Sequence, residues 1–176
     1  TGAGAAITTG AQNTFIGGGA GDATTTGASN TSIGYASLGS NTTASNNTGL
    51  GYAALAANTT GSENTAVGRN ALDANTTGAN LVAMGNGALG ANTTASYNTG
   101  IGEQALAANT TGAANVALGS YALDANTTAS DNTAIGASSL TTNTTGANNV
   151  AVGRDALGAN TTANDNTAVG YHALKA

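Results

Sequence analysis

Few side chains in this 176-residue sequence can do acid–base, nucleophilic or metal chemistry. The titratable set is eight acids, three cations (Arg69, Arg154 and Lys175) and one histidine, His172, for a formal charge of −5. Catalysis needs polar groups that converge on one reacting atom. His172 has no nucleophile at a fixed spacing and reads as a solvated histidine. Asp73 and Asp124 hold equivalent places in a repeat but lie three units apart, about 14 Å along a stacked axis, too far to share a proton. Arg154 and Asp155 are sequence neighbours, a surface ion pair of small energetic weight. Without cysteine there is no disulfide, thiolate metal site or thiol nucleophile. Asp does not recur in every unit as calcium-binding nonapeptides require, and Gly17-Gly18-Gly19 lacks the Lys-Ser/Thr of a phosphate loop. The sequence therefore predicts no enzyme, no metal and no cofactor. Three cations cannot supply the basic surface that a nucleic acid demands, so none is expected as a partner.

The elements that position these side chains follow from a repeat. Asn-Thr-Thr begins at Asn41, Asn58, Asn75, Asn92, Asn109, Asn126, Asn143 and Asn160, always 17 residues on, and stepping back reaches Thr24 and Ile7. Such regularity signals a one-dimensional architecture. The chain reads as a single repeat domain, 1–176. Residues 1–6 are a partial coil, 7–40 two degenerate N-terminal coils, and 41–176 eight regular ones, ten coils in all. Counting the first Asn as position one, position eleven is always Gly, as at Gly68, Gly102 and Gly136, which suggests positive φ or no room for a Cβ. Position fifteen is Leu in nine coils, including Leu72, Leu106 and Leu140. Position ten is always aliphatic, and position eight alternates only between Thr and Val. Two residues apart is the strand period, so both are expected to face inward.

Gly, Ala, Thr and Asn number 27, 40, 31 and 23, more than two thirds of the chain. That composition opposes helix and leaves little material for an ordinary core. The expected fold is all-β, a parallel β-solenoid with one 17-residue coil per repeat and a rise of about 4.8 Å. Asn at positions one (Asn58, Asn75, Asn92, Asn109, Asn126, Asn143) and seven would form hydrogen-bonded columns, with Leu81 the lapse at position seven. All eleven charged residues, His172 and the five tyrosines fall at positions six, twelve, thirteen or sixteen, which predicts that these four columns face solvent. From the fifth coil, Gly/Ala at position four also alternates in step with Val/Thr at position eight.

Each Asn-Thr-Thr is formally an N-glycosylation acceptor, although a ladder explains the spacing equally well. Threonine columns also suggest an ice-binding face, but Thr-Thr neighbours on a strand point opposite ways. No stretch is long and apolar enough to span a membrane, and the N-terminus lacks signal-peptide character, so the chain is expected to be soluble as given or an excised piece.

Asn115-Val116-Ala117-Leu118-Gly119 and Asn149-Val150-Ala151-Val152-Gly153, each followed by two variable residues and Ala-Leu, resemble the strand motif of trimeric autotransporter adhesin heads. The fuller pattern from Asn64 to Thr77 resembles bacteriophage tail-fibre repeats. The resemblance covers nearly the whole chain. It implies a left-handed β-roll, three chains side by side, and attachment to a host surface. The expected role is thus a structural fibre shaft or adhesin segment, extracellular, at a cell surface or on a virion. Its expected partners are copies of itself, as a homotrimer or head-to-tail filament, with a host-surface glycan or protein as a further candidate. The alternative is a free solenoid that binds an extended surface such as ice or polysaccharide.

Two further expectations concern surfaces. Positions nine, fourteen and seventeen are almost all Ala, Gly or Ser, so neighbouring chains could approach there. Gly4 and Gly21 stand where Leu recurs and Phe15 where Ala recurs, while the C-terminus completes a coil, so the stack is expected to continue or to meet another subunit. Any specific binding is expected on the variable columns, with Tyr35, Tyr52, Tyr97, Tyr121 and Tyr171 the candidate contacts.

Overall fold

The computed structural model describes residues 2–175, so the expected limits at residues 1 and 176 lie outside the described residues. It is a β-solenoid of about nine turns, with no helix among the described residues. Ten three-residue strands, β1 (Thr14–Ile16), β2 (Thr31–Ile33), β3 (Thr48–Leu50), β4 (Thr65–Val67), β5 (Val82–Met84), β6 (Thr99–Ile101), β7 (Val116–Leu118), β8 (Thr133–Ile135), β9 (Val150–Val152) and β10 (Thr167–Val169), form one parallel sheet in chain order. Each residue pairs with its equivalent 17 residues away, as in Thr48↔Thr65 and Leu50↔Val67. The strand occupies positions eight to ten, where β-branched residues concentrate.

The inward residue of each strand is the middle one, at position nine. Ala66, Ala83, Ala117, Ala134 and Ala151 are fully buried, whereas positions eight and ten are exposed or half-buried in every strand. This reverses the expected orientation. The reason is volume, because the leucine of position fifteen fills the space behind the sheet. A Cβ on Gly100 would stand 3.2 Å from Leu89 Cγ, and one on Gly49 would meet the Ser37 hydroxyl. Where leucine stands at position fifteen only a small residue fits at position nine, so the bulky strand residues turn outward.

Four backbone corners close each coil. Position eleven has φ between 126° and 143°, and in every coil but the last a Cβ there would collide with the carbonyl of the glycine one coil on, so no other residue fits. Positions six, thirteen and fifteen are left-handed even when not glycine, with φ of 49–64°. β-branched residues tolerate that region poorly, and none occupies these positions. This accounts for Leu, rather than Val or Ile, at position fifteen.

Half of the interior is apolar and half is amide. Leu55, Leu72, Leu89, Leu106, Leu123 and Leu140 stack with the alanines of positions nine and fourteen. On the other side, the Asn58 amide donates to Asn41 Oδ1 at 3.2 Å and to Gly61 O at 2.9 Å. The pattern repeats through Asn75, Asn92, Asn109, Asn126 and Asn143. The position-seven column sends its amide to the same position-four carbonyl from the preceding coil, as Asn47 does to Gly61 O, and accepts the backbone N–H of its successor on Oδ1. Leu81 carries no such oxygen, and the amide of Asn98 reaches Gly112 O and Asn92 Oδ1.

Position five adds a ladder of its own. Ala79, Ala113 and Ala147, which follow glycines, donate their N–H to Ser96 Oγ, Ser130 Oγ and Asn164 Oδ1 of the following coil. Nothing in the structure explains the Gly/Ala alternation at position four or the Val/Thr alternation at position eight. The first coil is repacked rather than loose, for the ring of Phe15 fills the space beside Gly4 and Gly21, where a Cβ would lie 2.8 Å and 2.6 Å from it.

Candidate functional site

With its interior filled, the solenoid offers its chemistry on outward columns. Positions six and twelve are the most exposed of the four variable columns; thirteen and sixteen are mostly half-buried. Position thirteen is left-handed, and a carboxylate at position sixteen lies close to the backbone. Burial raises the pKa of Asp73 there, opposed by hydrogen bonds from its own N–H and that of Ala74. Asp124 accepts the Thr141 hydroxyl at 2.7 Å.

The titratable residues meet at one place, near the C-terminal coil. Asp155 Oδ2 faces His172 Nε2 at 2.9 Å, Arg154 Nε at 3.4 Å and Lys175 Nζ at 3.9 Å. The ring of Tyr171 stacks on His172 with centroids 3.7 Å apart. The carboxylate is occupied by these partners, and no side chain there is poised as a nucleophile. Asp73 and Asp124 stay apart, and no group of three His, Cys, Asp or Glu that could hold a metal exists among the described residues. A recess of about 320 Å³ beside Leu157, Asn160, Asn166 and Leu174 is the end of the interior columns, where side chains lie open that the following coil covers elsewhere.

The tyrosines are distributed unevenly. Tyr35 and Tyr52 at position twelve stack with centroids 5.6 Å apart and an interplanar angle of 14°. Tyr121 and Tyr171 lie farther along the same turn, and Tyr97 sits alone at position six; all three are exposed. The Asn-Thr-Thr asparagines from Asn41 to Asn143 are sealed, and Asn160 in the last coil is half-buried. Asn58, Asn75, Asn92, Asn109, Asn126 and Asn143 are fully buried, and the nitrogen a glycosyltransferase would modify already donates to two oxygens. The first threonine of each pair is held, as Thr76 Oγ1 on Thr93 O at 3.0 Å, while the second is exposed in every coil.

The threonine columns were expected from the sequence, and the second threonine of each pair is their exposed half. One surface escaped sequence reasoning: the outer face of the sheet, where Ile16, Leu50, Met84, Leu118, Ile135 and Val169 are exposed beside the Thr/Val column. A usable signal was the restriction of position nine to Ala, Gly or Ser after the first coil, which marks the tighter side of the strand. Of the three Ala-rich columns expected to meet neighbouring chains, positions nine and fourteen are buried inside the chain and do not serve, while position seventeen is half-buried or exposed.

Fold and surface together define a parallel β-solenoid repeat protein whose interior is structural and whose variable chemistry is all at its surface. No protein-family model matches the chain, and neither curated proteins nor solved structures give a significant match.

Proposed function

We propose that this chain is a segment of a fibre shaft, of the tail-fibre-like or adhesin kind, that spaces and presents attachment surfaces outside a cell or on a virion. The observation that carries this reading is the outer sheet face. Ten aliphatic side chains, one per coil, form a stripe about 43 Å long at the strand spacing. No charged residue lies on positions eight to ten of any coil. Continuous apolar surface of this kind is what soluble chains cover with a partner. A second copy has the same axial spacing, so its side chains can interdigitate along the full length. Three copies about one axis is the arrangement that the sequence resemblance implies.

Light scattering tests the reading. The parent should give a multiple of 16.5 kDa, and electron microscopy should show rods. Leu118→Lys with Ile135→Lys should return the monomer mass with the β-sheet circular dichroism intact, because both side chains point outward. A folded parent at the monomer mass would overturn the proposal.

A further inference from the structure

Tyr35 and Tyr52 are 63% and 54% exposed, although they stack on each other. They lie at the turn edge of the coil, away from the strand face through which copies are proposed to pack. The segment 23–62, which contains both, has no charged residue or histidine. The column continues from Tyr52 into Arg69, so charge adjoins the pair on the Tyr52 side, whereas Gly18 adjoins it on the Tyr35 side.

The stack ends at a glycine. Gly18 holds position twelve of the preceding coil, directly beneath Tyr35. Its φ lies outside the left-handed region, and an added Cβ would rest 3.5 Å from Tyr35 Cδ2, an ordinary contact. The backbone therefore does not require glycine at this position. Its effect is to leave one face of Tyr35 open, in the place where a side chain would otherwise continue the column as Tyr35 continues that of Tyr52.

We propose that this notch is a carbohydrate subsite, in which the C–H face of a neutral pyranose stacks on Tyr35 above Gly18 and extends the Tyr35–Tyr52 pile by one ring. An aromatic face against an apolar sugar face supplies the attraction. The first three coils hold no cation, and the coil of Gly18 carries only the acid Asp22, so nothing there pairs with the carboxylate of a uronic or sialic acid and a neutral sugar is favoured. One such contact is weak, and several chains side by side would multiply it.

The test is proton NMR of the intact protein titrated with cellohexaose, chitohexaose and xylohexaose to about 10 mM, the affinity range of a single stacked ring. The expected result is a saturable shift of the Tyr35 and Tyr52 ring resonances with at least one probe, and none at Tyr97. Tyr35→Ala should weaken binding about tenfold, roughly one stacked aromatic contact. Gly18→Leu, which fills the notch without touching the fold, should do the same with an unchanged circular dichroism spectrum. Absence of ring shifts with all three sugars overturns the proposal, as does undiminished binding by Gly18→Leu. Ring shifts that follow protein concentration without sugar also overturn it, assigning the rings to contacts between copies. Light scattering on the same samples reads the shaft proposal separately, so either can fail alone.

Discussion

The two halves of the interior hold each coil on its neighbours by different physics. On one side Leu106 and its equivalents fill space against alanine, a non-directional contact that registers volume. On the other, Asn109 and its equivalents donate to one oxygen in the preceding coil and one in their own, a directional contact that registers position. The leucine side tolerates rearrangement where total volume is kept, and the first coil shows it, with Phe15 exchanged against Gly4 and Gly21. The amide side tolerates omission more readily than rearrangement. Leu81 interrupts the position-seven column for one step, yet its own N–H still donates to Asn64 Oδ1 at 3.0 Å. Packing thus sets how thick a coil is, and the ladders set where it lies.

Substitution on the leucine side should break this comparison most severely. Leu106 is fully buried, and Leu106→Asp places an unpaired carboxylate among leucines and alanines. Loss of the β-sheet circular dichroism signal is expected, whereas Leu106→Ala should fold with a loss of about 2–5 kcal/mol in denaturant unfolding. A folded Leu106→Asp protein would show that the leucine column is dispensable.

Next is the amide side. Asn109→Ala removes two donated bonds and the acceptor of Asn126 Nδ2, which stands at 2.8 Å. Buried groups left unpaired cost about 1–3 kcal/mol each, so about 3 kcal/mol is expected from the same unfolding curves. A loss below 1 kcal/mol would mean that the ladder merely accompanies the packing.

The smallest effect should come from Leu81→Asn, which trades buried apolar area for the missing ladder step. The stability change should stay within about 1 kcal/mol because the two contributions offset. Hydrogen exchange is the sharper readout, since the Asn98 amide gains an acceptor and should become better protected. Unchanged protection would show that the gap at Leu81 is not a defect in register.

The legible part of this protein was everything the period controls. A 17-residue repeat with Gly at one place, Leu at another and Asn at two defines coils and columns before any coordinate is known, because stacked equivalents must share one environment. The stacking of Tyr35 on Tyr52 was legible for the same reason. The emptiness over Gly18 was not, because the sequence shows a glycine without showing that its backbone has no need of one.

Strand orientation lay beyond the sequence. Thr/Val, Ala/Gly and Ile/Val/Leu at positions eight, nine and ten alternate equally well in either phase, and a choice wrong by one residue sends every side chain to the opposite face. Hydrophobicity favours the aliphatic column inside, and volume excludes it. The volume is decided by the left-handed leucine of position fifteen, which reaches the space behind the sheet only after the turn at positions eleven to fifteen has closed. The sequence by itself determined which residues stack. Only the closed coil decided which of them are inside, because the room behind the strand depends on how the rest of the 17 residues return to it.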